Sequence, residues 1–129
     1  TGISLSPIIP GLNDEDLPDL LTRAKQAGAV EAMATLLRLS GSVEPVFMER
    51  MAAAFPDRIT KITNRILDVR GGAISKGAFF ERHRGVGPYW AMIEQLFEVS
   101  RRRAGLSALR DETVPATFRR PGIEQTALF

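Results

Sequence analysis

The sequence has no cysteine, which removes disulfide frameworks, thiolate nucleophiles, cysteine-based zinc sites and iron-sulfur ligation from anything this chain does by itself. Histidine occurs once, at His83, between Arg82 and Arg84. Two adjacent cations depress its basicity and repel a metal ion, so His83 reads as a surface residue and no metal site is expected. No apolar run approaches the ~20 residues of a membrane helix, and the N-terminus lacks the basic-then-apolar layout of a signal peptide, so a cytoplasmic location is expected. No Ser/His/Asp order, phosphate loop, paired-carboxylate signature or internal repeat is readable. Asp14, Glu15, Asp16 and Asp19 cluster where a helix dipole favours acids.

What remains is ordinary globular material. The 129 residues, 44% hydrophobic and 25% charged, suit one domain with one core. The net charge of +2 is unevenly spread: residues 65–129 carry eleven Lys/Arg against seven Asp/Glu, and residues 1–64 carry six against eight. A basic half is either a solvated face or a surface that meets anions such as nucleic acid.

The periodicity predicts a βαβ unit followed by helices. Ile3, Leu5 and Ile8-Ile9 form a β-prone stretch that ends in Pro10-Gly11 and Asn13-Asp14-Glu15-Asp16, a strand-to-helix turn in which Asn13 or Asp16 is the candidate cap. Leu17, Leu20, Leu21, Ala24 and Ala27 recur at helical spacing before Gly28, and Ala32 to Leu39 reads as a strand buried on both faces. Such units are parallel and right-handed. A helix then runs from Ser42 to Pro56, a second from Asp57 with Ile59, Ile62, Ile66 and Val69 as its stripe, and a third from Pro88 with Tyr89, Ile93, Leu96 and Phe97 inward to Gly105. The organisation expected is residues 1–41 as strand-helix-strand, 42–105 as a helical extension with a glycine-rich loop at 71–87, and 106–129 as a mobile basic tail. Two parallel strands do not make a stable sheet, so further strands are expected upstream of Thr1, and the isolated fragment is expected to dimerise or swap through its open edges.

Ser6 to Asp14, with Leu36-Leu37-Arg38-Leu39, Arg70-Gly71-Gly72 and Arg84-Gly85-Val86-Gly87-Pro88-Tyr89, resembles the C-terminal half of radical SAM proteins of the spore-photoproduct-lyase-like, or DNA-repair-photolyase, group. The resemblance implies an α/β fold, the C-terminal βαβ portion of a partial TIM-like barrel with a helical C-terminal extension. It implies an enzyme of nucleic-acid repair or modification that in full length depends on S-adenosylmethionine and a four-iron four-sulfur cluster. Ile9 and Gly11 match the Gly-x-Ile-x-Gly-x-x-Glu pattern that lies near the adenine in that superfamily. Pro7 replaces its first glycine and Asp14 stands at its acid, so Ile9, Gly11 and Asp14 are the cofactor-binding candidates. The cluster-binding cysteines of the family are missing, so this chain alone is expected to be catalytically inert and to lack the N-terminal half of its barrel.

Three further segments carry candidates. Arg82, Arg84, Gly85, Gly87 and Tyr89 form either a substrate- or phosphate-binding group at a helix N-terminus or an ordinary loop with a glycine cap. Arg101-Arg102-Arg103, placed where a helix dipole favours cations, joins Arg110, Arg119 and Arg120 as a candidate salt-sensitive nucleic-acid surface. The terminal Gln125-Thr126-Ala127-Leu128-Phe129 is similar to the Gln-x-x-Leu-Phe peptide that docks on bacterial sliding clamps, with Gln125, Leu128 and Phe129 as anchors, or is an apolar tip folded on the body. The alternative to the enzyme reading is therefore a non-catalytic DNA- or clamp-binding module.

Overall fold

The computed structural model describes residues 1–72, 74 and 84–109. Arg82 and His83, the basic residues Arg110, Arg119 and Arg120, and the anchors Gln125, Leu128 and Phe129 lie outside the described residues, as does most of the glycine-rich loop.

Strand β1 (Gly2–Ile8) leads through a 3-10 turn (Asp14–Asp16) to α1 (Leu17–Gln26), then β2 (Glu31–Leu36), α2 (Val43–Ala54), α3 (Ile59–Val69), α4 (Gly87–Arg103) and β3 (Ser107–Ala108). The fold is mixed α/β: among the described residues, a three-stranded sheet and four α-helices. The strand order is β1-β2-β3, and both neighbouring pairs are parallel. Ile3 lies opposite Ala32 and Leu5 opposite Ala34, so the expected strand partners are paired. Beyond Leu5 the register shifts before Ile8 meets Leu36. Pro7 sits inside that shift, where its missing N–H breaks the ladder.

Alternation decides which side of the sheet is packed. Leu5, Ile8, Ala34 and Leu36 meet Leu17, Trp90 and Ile93, and Ile3 and Ala32 meet Leu21, Ala24 and Leu106. Helices α1 and α4 therefore cover one face, and they also contact each other. The opposite face carries Ser4, Ser6, Met33 and Thr35, with the Ser6 and Thr35 hydroxyls hydrogen-bonded to each other. The expectation of a β2 buried on both faces is corrected here: Ala32 and Leu36 are buried, whereas Met33 and Thr35 are half-exposed, because no described element lies over them. A third cluster, Met51, Ile62 and Ile66 with Ile9, Leu12, Leu37 and Phe47, joins α2 and α3 to the loops at the carboxyl ends of β1 and β2.

Three local expectations change. Asn13 and Asp16 make no capping bond. Asn13 instead turns back, its Oδ1 accepting from the Ile9 N–H at 2.7 Å and its Nδ2 donating to the Pro7 carbonyl at 3.1 Å, which closes the loop on itself. The residue before α3 is Arg58, not Asp57, because the turn after Pro56 runs one residue further. The tail begins later than expected: Leu106 is buried in the core and Ser107-Ala108 pair with β2 as a third strand.

The turn from α4 into β3 explains that last point. Arg101 is buried, with 8% of its surface exposed. Its guanidinium donates to both carboxylate oxygens of Glu98 and to the Leu106 carbonyl at 2.6 Å. Arg102 also donates to Glu98, at 3.0 Å. Within the arginine triplet, two of the three side chains are thus engaged by one carboxylate, and Arg101 faces inward.

Candidate functional site

The loop Ile9 to Asp14 leaves the carboxyl end of β1, the edge at which parallel α/β sheets bind ligands. Gly11 has φ +80°, a left-handed conformation that suits glycine. A Cβ there would lie 3.3 Å from Cγ of Arg65 and 3.5 Å from Cα of Ile62, so the loop backbone is seated against α3. Asp14 is 3% exposed. One of its oxygens accepts from the Gly11 N–H at 2.9 Å, and the other accepts from the Tyr89 hydroxyl at the start of α4. The Arg65 guanidinium stacks over the Tyr89 ring, 4.2 Å from its centroid. Arg65 also reaches Asp68, and Lys61 reaches Glu15, both at 3.4 Å.

The structure thus brings Gly11, Asp14 and Tyr89 into one cluster, with Arg65 as a member that the sequence did not announce. Burial, together with the bond to Asp14 and the Asp14 charge, pushes the Tyr89 phenol up to about 12, against a smaller opposing effect of Arg65. Tyr89 is the one tyrosine of the sequence, so ultraviolet absorbance of its phenolate reads this contact directly. Titration of the folded protein is expected to show a midpoint near 12 rather than the ordinary 10, and Asp14→Ala is expected to lower it. A raised folded value means that the native state holds its proton after the unfolded chain has lost it. The contribution is therefore fully present below pH 10 and is lost as pH rises from about 10 through about 12.

Ile9 is half-buried against the Met51, Ile62 and Ile66 cluster. Ile9 packs on α2 and α3, the Gly11 backbone is seated against α3, and Asp14 is bonded to Tyr89 of α4, while Ile9 also lines a groove along β1. Without cysteine the chain has no ligands for an iron-sulfur cluster. Among the described residues no group of histidine, cysteine, aspartate or glutamate side chains is placed to hold a metal ion.

The second candidate group splits. Arg84 is exposed and pairs with Glu94 at 3.8 Å. Gly87, with φ +84°, opens α4, and Val86 donates its N–H to the Val69 carbonyl at 2.8 Å, tying this segment to the end of α3. Gly85 lies directly against Trp90: a Cβ would come within 2.6 Å of its Cγ and 2.7 Å of its Cδ2. Trp90 is buried, its Nε1 has no hydrogen-bond partner, and it lines a groove of about 500 Å³ with Ile8, Ala34, Ile93 and Phe97 as apolar wall. Sequence reading missed Trp90, although the single tryptophan three residues before Ile93 lies at helical spacing. Gly85→Ala is expected to destabilise the fold by about 2 kcal/mol through overpacking and to shift Trp90 fluorescence to the red, as denaturant unfolding followed by emission would show.

No helix among the described residues is long and apolar enough to cross a membrane. Comparison with protein-family models, with curated proteins and with solved structures returns no match.

Proposed function

We propose that the chain is the C-terminal part of a radical SAM-type partial barrel of the spore-photoproduct-lyase-like group, acting in nucleic-acid repair or modification and catalytically inert without its other strands. One observation carries this reading: a parallel sheet in sequential order with α1 and α4 packed on one face, while the other face carries Ser4, Ser6 and Thr35 beside the half-exposed Met33. Parallel sheets are covered on both faces, and a doubly wound sheet would place helices on each side. Sequential strands with their helices on one side are the winding of a barrel, whose other face turns inward. Gly2, Ser4, Ser6 and Thr35 suit a polar interior better than a helix contact. Strand β1 lies at the end of the sheet order. A groove of about 300 Å³ runs along it past Ser4, Ser6, Ile9, Leu17 and Leu20, and Leu20 is 38% exposed. Further strands are proposed to pair there through Gly2 to Leu5 and to bring the three-cysteine loop and the nucleoside contacts that this chain lacks.

Anaerobic expression of the gene together with the codons that precede Thr1 tests the reading. Iron and sulfide in the amounts of a four-iron four-sulfur cluster, with reductive release of 5′-deoxyadenosine from S-adenosylmethionine, are expected. Upstream codons without a three-cysteine motif would end it. A DNA-binding role for the end of α4 has less support, because Arg101 and Arg102 are held by Glu98.

A further inference from the structure

Helix α2 is built mostly from Val, Phe, Met and Ala, yet Met51 is its one buried residue. A helix that is apolar all round is normally covered on more than one side. Phe47 and Met51 pack with Ile62 and Ile66. At 3.6 residues per turn the opposite line runs through Val46 and Ala53, with Glu49 about 50° to one side of it and Arg50 about 50° to the other. Val43 and Val46 are 54% and 56% exposed. Glu49, Arg50 and Ala52-Ala53-Ala54 are exposed as well. Neither Glu49 nor Arg50 has a hydrogen bond or ion pair among the described residues.

We propose that this face of α2 is a self-association surface on which a second copy of the chain docks, the two helices running parallel about a two-fold axis. The face is self-complementary: an apolar line carries one carboxylate and one guanidinium on its opposite flanks, both without partners. In a two-fold pair the residues on that line meet their own copies, Val46 on Val46 and Ala53 on Ala53. If the helices ran antiparallel, each flank would also meet its own copy, setting Glu49 against Glu49 and Arg50 against Arg50. When they run parallel the flanks cross, and Glu49 of each copy meets the partner's Arg50. Charge therefore selects the parallel pair, and the three small alanines let the helices approach closely. A contact confined to a 12-residue helix is smaller than the standard interface of about 1,600 Å². The association is accordingly weak and concentration-dependent. It does not rest on the barrel reading, because α2 packs on the loops beyond β1 and β2 and takes no part in strand pairing.

Sedimentation equilibrium of the full 129-residue chain over a range of concentrations tests this, with circular dichroism confirming that each variant folds. A reversible dimer is expected, and Val46→Asp, a change on the exposed side of α2, is expected to leave a monomer. Glu49→Lys and Arg50→Glu are each expected to weaken association about tenfold by setting like charges together, and the two combined to restore it. The chain has no cysteine, so Val46→Cys supplies a single thiol. That variant is expected to form a disulfide-linked dimer on mild oxidation, whereas Gln26→Cys on the exposed side of α1 is not. A monomer at every concentration would overturn the proposal, as would a dimer that Val46→Asp leaves intact, which would place the association at the sheet edge instead. A double charge reversal no tighter than the single ones would overturn it as well.

Discussion

Asp14→Ala is expected to destabilise the protein by about 4 kcal/mol, because it removes a buried carboxylate whose two oxygens each accept a hydrogen bond. The Gly11 N–H would be left buried without an acceptor, and the Tyr89 hydroxyl would lose its partner. The loop would then be held against α3 by the packing of Ile9 and Leu12 alone. Tyr89→Phe removes one of the two bonds and keeps the ring under Arg65, so a loss of about 2 kcal/mol is expected. The two changes share a contact and should not add: the double variant is expected to be less destabilised than the sum of the singles. Urea unfolding followed by the fluorescence of Trp90, the single tryptophan, measures all three. Additive effects would show that Asp14 and Tyr89 act separately.

Arg101→Ala is expected to cost about 3 kcal/mol, for a different reason. A buried guanidinium joins Glu98, in the last turns of α4, to the Leu106 carbonyl that leads into β3. Removing it leaves that carbonyl without its donor and Glu98 with Arg102 alone. Arg101→Lys restores the charge without the fork and is expected to recover less than half of the loss. The bond from Arg101, foremost among several causes, holds the Glu98 carboxyl below its usual range. A depressed carboxylate contributes stability that is present above its unfolded pKa and is lost as pH falls through its folded one. The stability difference between wild type and Arg101→Ala should therefore narrow in acid. Amide exchange at Ser107 and Ala108 should rise in the variant, because this turn positions β3 on β2.

How much of this was legible beforehand depends on the range of the interaction concerned. The strand, helix, strand succession of the first 36 residues follows from Ile3, Leu5, the Leu17 to Ala24 stripe and the apolar run from Ala32, because each signal is local. Helix α3 was readable for the same reason, since Ile59, Ile62, Ile66 and Val69 share one face. Strand β3 was not: two residues give no period, and Ser107-Ala108 become a strand through pairing with Glu31 and Ala32. The pairing of Arg101 and Arg102 with Glu98 was not legible because a basic helix end has one composition whether its side chains face solvent or a carboxylate three or four residues back. Asp14 and Tyr89 were each picked out, for unrelated roles, and their contact spans 75 residues, beyond any sequence window. Arg65 carried no signal, being one more cation on the polar side of an amphipathic helix.

Amide hydrogen exchange along β1 in the protein expressed with its upstream codons tests the central claim most directly. The account predicts that amides of Gly2 to Leu5 left free by β2 are slowed strongly relative to the 129-residue chain, because a neighbouring strand takes them up. Equal, fast exchange in both proteins would contradict it and leave β1 as a true edge.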